Sequence, residues 1–206
     1  MSKRFTVARS VALLGGILLV GCGGDGVVLV APMPPGEGVQ FGVVSQPGGA
    51  KVRPAQRDAQ LDSDIVWSFD AGPEGAVSRN ATAGLTVSIP RGALDTPTHI
   101  TVTALAGSSI AYRFEPHGLQ FALPVELSQS LHGMKLNREP LGFARLLGGY
   151  FSGDALPTDP VTGTARVVEL LPITVDTHAR RVKLAIRHFS GYTVASAIND
   201  GIGDPP

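Results

Sequence analysis

The sequence contains little cysteine, little charge and few aromatic residues. Its 206 residues include one cysteine and one tryptophan, and 17% of them are charged. A single cysteine excludes an internal disulfide and a metal site built from several thiolates. A zinc site made of histidines needs three or four converging ligands, whereas no two of the five histidines lie at a short ligand spacing. We therefore predict no metal and no other cofactor.

The sequence also lacks helical periodicity and internal repeats. Apolar residues instead alternate with polar ones, as in Leu85-Thr86-Val87-Ser88-Ile89 and over residues 119–127, and this is the period of a half-buried strand. Turn residues recur roughly every 8 to 12 positions, the pattern of a β-sandwich. We predict an all-β sandwich of short, mostly antiparallel strands. The predicted strands span residues 65–69, 85–89, 100–104, 112–114, 119–127, 143–151, 167–171, 173–175, 182–186 and 192–195.

The N-terminus has the layout of a lipoprotein signal. A basic segment over residues 1–9 precedes an apolar run over residues 11–20. The run has the length of a signal-peptide core and is shorter than the roughly 20 residues that a membrane-spanning helix needs. It ends in Leu-Val-Gly-Cys at 19–22, which matches the lipobox. We predict a signal peptide over residues 1–21 and a lipid on Cys22. The alternative is an ordinary secretory signal with an incidental cysteine.

A lipid on Cys22 would hold the protein at the membrane of a bacterial cell envelope. Two or three acyl chains anchor a protein stably, whereas one chain anchors it only marginally. Gly23 occupies the position where an aspartate often signals inner-membrane retention in enteric bacteria, so we predict the outer membrane rather than the inner one. Removal of the signal leaves 14 basic and 17 acidic residues. That balance argues against nucleic acid as a partner.

The remaining chain divides into a tether, one domain and a tail. The segment after Cys22 is rich in glycine and proline, and residues 51–64 are polar and charged, which is typical of a linker. Two short apolar runs in this segment, at 27–31 and 39–44, could each dock as an edge strand. The predicted segments are therefore a lipidated tether over 22–64, a domain over 65–198 and a tail over 199–206.

Three stretches of the predicted domain together resemble a known family. They are LTVSIPRGAL at 85–94, FEPHGLQFALPV at 114–125 and HFSGY at 188–192. This combination resembles the ZU-five domain, the module shared by zonula occludens scaffolds, uncoordinated-five netrin receptors and ankyrins. The resemblance covers about residues 65 to 198 and implies a β-sandwich. It also implies an interaction module, because most members of that family bind proteins or pack against neighbouring domains and are not enzymes.

The resemblance also implies one piece of chemistry, at the triplet His188-Phe189-Ser190. Some members of the family cut themselves between the phenylalanine and the serine of such a triplet. Carried over, Ser190 would be the nucleophile, His188 the base, and the bond between Phe189 and Ser190 the one that is cut. The alternative is structural, with His188 a hydrogen-bonded histidine on the apolar face of its strand and Ser190 a turn residue. His117, in the turn before Gly118, is expected to hydrogen-bond the local backbone.

A small basic cluster is the remaining candidate site. Arg180, Arg181, Lys183 and Arg187 lie in or beside the predicted strand over 182–186, and Arg181, Lys183 and Arg187 are the candidate binding residues. They could contact an acidic protein or a polysaccharide, or they could form a solvated strand face. Together the patterns predict a lipid-anchored cell-envelope protein that presents a non-enzymatic protein-interaction module to an envelope protein or glycan. Two alternatives remain, a self-cleaving domain and a purely structural envelope lipoprotein.

Overall fold

The computed structural model of the protein describes residues 44–135 and 146–198, and these residues form strands and no helix. The strands are β1 (Val44–Pro54), β2 (Gln56–Leu61), β3 (Ile65–Ala71), β4 (Ala76–Asn80), β5 (Leu85–Ile89), β6 (Thr98–Ala104), β7 (Gly107–Ser109), β8 (Ala111–Glu115), β9 (Gln120–Ser130), β10 (Met134–Lys135), β11 (Leu146–Phe151), β12 (Ala165–Leu171), β13 (Ile173–Asp176), β14 (Arg181–His188) and β15 (Gly191–Ala197). The prediction of an all-β fold is therefore confirmed. Each predicted strand matches one of these, except that residues 143–145 lie outside the described part.

Two sheets pack face to face around one main core. The larger sheet has the order β1-β12-β11-β15-β8-β6-β3, and the smaller one has the order β13-β14-β9-β5-β4. Every pairing in them is antiparallel. The alternating apolar residues predicted from the sequence face inward, as Leu85, Val87 and Ile89 of β5 do. A short third sheet, β10-β2-β7, flanks the other two.

The larger sheet closes on itself at one end. Strand β1 pairs with β12 and also, through Val52 to Pro54, with β15. Because β12 pairs with β11 and β11 with β15, these four strands form a closed circuit of hydrogen-bonded pairs. A second, smaller core lies among them, built from Ala50, Val52, Ala165, Val167 and Ala195. At that end the sheet is therefore paired on both sides at Val52, whereas β3 at the other end pairs with β6 alone among the described residues.

The prediction of a linker over residues 51–64 is wrong, and the tether cannot extend to residue 64. Strands β1 and β2 occupy most of that segment. Ala50, Val52 and Pro54 are buried, while Lys51 and Arg53 between them are exposed. Two of the charged residues that suggested a linker, Lys51 and Arg53, thus lie on the outer face of a strand with a period of two. The inward-facing residues of this segment are small because the second core that they fill is small. The segment therefore contains few large apolar residues.

The predicted signal peptide over 1–21, the lipidation site Cys22 and the tail over 199–206 lie outside the described residues. Within residues 44–135 and 146–198, no helix has the length and apolar character needed to cross a membrane.

Candidate functional site: the turn between β14 and β15

The His-Phe-Ser triplet lies where the chain passes from the smaller sheet to the larger one. Strand β14 ends at His188, and β15 begins at Gly191. Phe189 is fully buried, and its ring stacks on Phe114 at a centroid distance of 5.0 Å and meets the edge of Phe121 at 4.7 Å. The phenylalanine therefore fixes this crossing between the two sheets in the aromatic part of the core.

Three of the backbone groups of Phe189 and Ser190 are hydrogen-bonded. The Phe189 amide donates to the Leu119 carbonyl at 2.8 Å, and the Gly118 amide donates to the Phe189 carbonyl at 2.9 Å. The Ser190 carbonyl accepts from the Phe114 amide at 3.0 Å. The turn around Gly118 thus packs directly against the triplet, and one of its N–H groups polarises the carbonyl that a self-cleavage reaction would attack.

His117, and not His188, lies against the serine. The Ser190 side chain is buried, with 1% of the residue exposed, and its Oγ lies 3.1 Å from His117 Nε2 and 3.3 Å from the Phe151 carbonyl oxygen. Nδ1 of His188 lies 3.2 Å from the Tyr192 hydroxyl instead. Among the described residues no hydrogen bond joins His188 to Ser190, so the pair expected from the triplet is not brought together. The expected backbone contact of His117 within its own turn is replaced by this contact across the fold.

No family model matches this chain, and no curated protein does. The likeness to the ZU-five domain therefore remains a hypothesis based on the three stretches at 85–94, 114–125 and 188–192. In the structure the second and third stretches meet at the aromatic cluster around Phe189, and the Ala122 amide of the second donates to the Ala93 carbonyl of the first at 3.0 Å.

His188 belongs to an aromatic cluster beside the turn. Its ring meets the Tyr150 ring at 5.1 Å and the Tyr192 ring at 6.0 Å. The Tyr192 hydroxyl donates to the His188 carbonyl at 2.6 Å. Burial, with smaller contributions from Tyr150 and Glu169, raises the pKa of Tyr192 well above its ordinary value. The tyrosine therefore stays protonated and can act as a donor that locks the end of β14.

The three residues of the predicted basic cluster differ in their contacts. Lys183 forms an ion pair with Glu126 at 3.2 Å, and Arg187 is exposed on the outer face of β14. Arg181 is half-buried and directs Nη1 toward neutral oxygens, at 3.3 Å from Ser128 Oγ and 3.4 Å from Thr86 Oγ1. All three residues lie on the outer face of β14, and their role in binding stays a prediction. No group of three histidine, cysteine, aspartate or glutamate side chains that could hold a metal ion is present in the part of the chain that the structure describes.

Proposed function

We propose that the protein is a lipid-anchored cell-envelope protein that presents a non-enzymatic β-sandwich interaction module. The lipid on Cys22 would provide attachment to the membrane, and the sandwich would bind an extended segment of another envelope protein. The observation that supports binding is the open edge of the larger sheet at β3. The likeness to the ZU-five domain agrees with such a role.

Strand β3 has the properties of a docking edge. It pairs with β6 through consecutive residues from Ile65 to Ala71 without a bulge, and its other side has no strand partner among the described residues. Natural sheets protect exposed edges with charges, proline, bulges or short strands. In β3 the only charged residue is Asp70, near its end, and Val66 is 61% exposed. A partner segment could extend this sheet by main-chain hydrogen bonds, with Val66 contributing an apolar contact.

The other edges are less suited to strand addition. Strand β13 has only four residues and ends in Asp176. Strand β4 has five residues and carries Arg79 on its exposed face. Strand β1 pairs with β12 and, over its last three residues, also with β15. The edge of β3 is therefore the surface at which we expect the partner to bind.

A photo-crosslinking amino acid at Ser68, on the outer face of β3, tests this surface in the native cell. We expect one major crosslinked protein from position 68 and none of it from the same probe at Val168, which is 45% exposed on β12. Val66→Lys should then weaken binding of the purified partner at least tenfold without unfolding the domain, because one exposed side chain changes stability by about 0.5 kcal/mol or less. Equal crosslinking at both positions, or unchanged affinity of the Val66→Lys protein, would contradict the proposal.

Membrane attachment has its own test. The Cys22→Ala chain should leave the membrane fraction and lose the mass of the acyl groups, while the folded domain keeps its stability. A Cys22→Ala protein that stays with the membrane would refute the lipid anchor but would leave the docking surface to be judged by the crosslinking experiment.

Self-cleavage is the second candidate, and the contacts of Ser190 support it. The Ser190 hydroxyl has two acceptors within reach, and of these only His117 Nε2 can take up its proton. Attack of Oγ on the Phe189 carbonyl carbon would form an ester, break the peptide bond and leave the amino group of residue 190 free. Water would then open the ester to a carboxylate at Phe189 and a free hydroxyl at Ser190. The Gly118 amide would stabilise the negative charge on the carbonyl oxygen.

The intact mass of the purified mature chain under denaturing conditions decides this candidate. Cleavage predicts two fragments that together exceed the chain by one water, the smaller one beginning at Ser190. His117→Ala and Ser190→Ala should stay whole, whereas His188→Ala should still be cut. A single uncut mass for the unmodified chain would exclude self-cleavage and leave the interaction module as the function.

A further inference from the structure

A cleft lined by three arginines lies where the short third sheet meets the sandwich. It has a volume of about 460 Å³ and is lined by parts of β2, the β4–β5 turn, the end of β9 with the turn that follows it, and the start of β14. Its charged and titratable lining residues are Arg57, Arg79, Arg181, Asp58 and His132. None of the lining residues of the cleft belongs to the β3 edge or to the Ser190 turn. The functions proposed for those two sites therefore do not explain the charge of the cleft.

Arg57 is the innermost of these residues. Only 6% of it is exposed, and its Nη1 donates to the Ser109 carbonyl. Its Cζ lies 5.8 Å from the centre of the Tyr112 ring. Its Nη2 is buried and has no hydrogen-bond partner among the described residues. A buried cation is ordinarily paired with an acidic group and has its N–H groups satisfied, so Arg57 lacks the counter-charge that its position requires.

The other two arginines are also without an acidic partner. No carboxylate of the described residues forms an ion pair with Arg57, Arg79 or Arg181. Asp58 is the one acidic residue of the lining, and it is not paired with any of them. Elsewhere among the described residues, Lys183 is paired with Glu126 and Arg113 with Glu115 and Asp154. The cleft therefore carries an uncompensated positive charge.

The wall of the cleft is held in place by a hydrogen-bonded network. The Tyr112 hydroxyl donates to the Ala83 carbonyl at 2.6 Å and also contacts Gln129. Gln129 Nε2 donates to the Ser130 carbonyl at 3.0 Å, and a Cβ on Gly84 would lie only 2.8 Å from that same nitrogen. Glycine at 84 thus allows the turn to approach the amide closely. A wall fixed in this way needs little rearrangement on binding, which favours affinity.

We propose that this cleft binds the oxyanion groups, phosphate or carboxylate, of a small anionic ligand such as an acidic sugar. The guanidinium groups of Arg57, Arg79 and Arg181 would form the charge-assisted hydrogen bonds. The planar guanidinium matches both phosphate and carboxylate through paired N–H donors. The volume lies within the range typical of small-molecule sites. The ligand supplies the counter-charge that Arg57 lacks inside the protein.

Isothermal titration of the purified mature chain at constant ionic strength tests the site, with pyrophosphate and citrate as probes and xylose as a neutral control. We expect one-to-one saturable binding of pyrophosphate if the site takes phosphate groups, or of citrate if it takes carboxylates, and none of xylose. Arg79→Gln combined with Arg181→Gln should raise Kd about tenfold or more, because each variant removes charge-assisted hydrogen bonds. Arg187→Gln is the matched control, since it removes an exposed arginine outside the cleft.

Two outcomes would overturn the proposal. One is the absence of saturable binding of either anion to the unmodified chain. The other is a Kd that is the same in the Arg79/Arg181 variant and in the unmodified chain, or that rises equally with Arg187→Gln, because binding would then be non-specific attraction to surface charge. The variants change Arg79, which is exposed, and Arg181, which is half-buried. They leave the buried Arg57 in place, because its removal would disturb the packing of the fold as well as the site. Unfolding curves recorded beside the titrations show that the variant protein is folded.

Discussion

Gly191 is a position where one methyl group should strongly destabilise the fold. A Cβ built on Gly191 would lie 2.3 Å from Cε2 of Phe151 and 2.5 Å from two more atoms of the same ring. Carbon atoms normally pack about 3.5 to 4.0 Å apart, so the ring would have to retreat by roughly 1 Å. Phe151 is only 1% exposed, so moving its ring would disturb buried packing contacts. We therefore expect Gly191→Ala to lower the free energy of unfolding by about 3 kcal/mol, at the upper end of the range for overpacked cores.

Urea unfolding followed by tryptophan fluorescence measures this loss, and a double-mutant cycle identifies its cause. Phe151→Leu alone should cost about 2 kcal/mol through the lost ring contacts. In the double variant the smaller side chain makes room for the new methyl group. The combined loss should therefore be at least 1 kcal/mol below the sum of the two single losses.

Gly72→Ala is the matched control. The nearest atoms to a Cβ at Gly72 are the carboxylate oxygens of the flexible Glu74 side chain, at 3.1 and 3.2 Å. We expect its loss to stay below about 0.5 kcal/mol. Single losses at Gly191 and Phe151 that simply add, or a Gly191→Ala loss as small as that of the control, would refute the steric explanation.

Three further predictions concern the core and its turns. Burial raises the pKa of Tyr112 from 10.0 to about 12, so this tyrosine ionises at a lower pH in the unfolded chain than in the folded one. Its contribution to the free energy of unfolding is complete below pH 10 and should fall by about 3 kcal/mol between pH 10 and 12. Unfolding at pH 9 and 11 checks this, and the decline should be smaller in Tyr112→Phe. Gly75→Ala should cost more than 2 kcal/mol by urea unfolding, because φ is 81° and a Cβ would lie 2.5 Å from the Ile89 carbonyl oxygen. Gly133 has a φ of 74°, but a Cβ there would meet no atom within 4 Å. Gly133→Ala should therefore show only the smaller loss of stability that comes from the backbone conformation. Phe189→Ala should cost about 3 to 5 kcal/mol in the same assay, since the side chain is fully buried.

The central strands of the sandwich could be predicted from the sequence because their inward residues are large and apolar. Leu85, Val87 and Ile89 in β5 alternate with polar residues, and turn segments do not show this period of two. Strand β1 was missed because its inward residues near Val52 are small and lie between lysine and arginine. A pattern of small and charged residues is as typical of a linker as of a strand. Only the structure shows the second core into which the small residues pack.

The candidate sites were less predictable, because residues far apart in the sequence form them. His117 and Ser190 meet only because the turn before β9 packs against the β14–β15 connection. The triplet itself favours His188, its near neighbour in sequence, whose Nδ1 meets Tyr192 instead. Arg57 lay within a segment interpreted as a linker, so no pattern indicated that it would be buried beside Tyr112. Spacing along the chain predicts a strand face well but does not predict which turns of a sandwich meet.

The closed circuit formed by β1, β12, β11 and β15 also constrains the order in which the protein can fold. Val52 pairs with Ala165 on one side and with Ala197 on the other. Both partners lie more than a hundred residues further along the chain, so β1 cannot complete its pairing until they have been synthesised. Such non-local pairings slow folding, because loop closure has to be completed before the contacts can form. While the chain is still emerging, β1 has neither neighbour and its pairing edges stay exposed. The native sheet therefore cannot close before β15 has emerged, and a truncation within β15 would remove pairing from β1, β8 and β11 together.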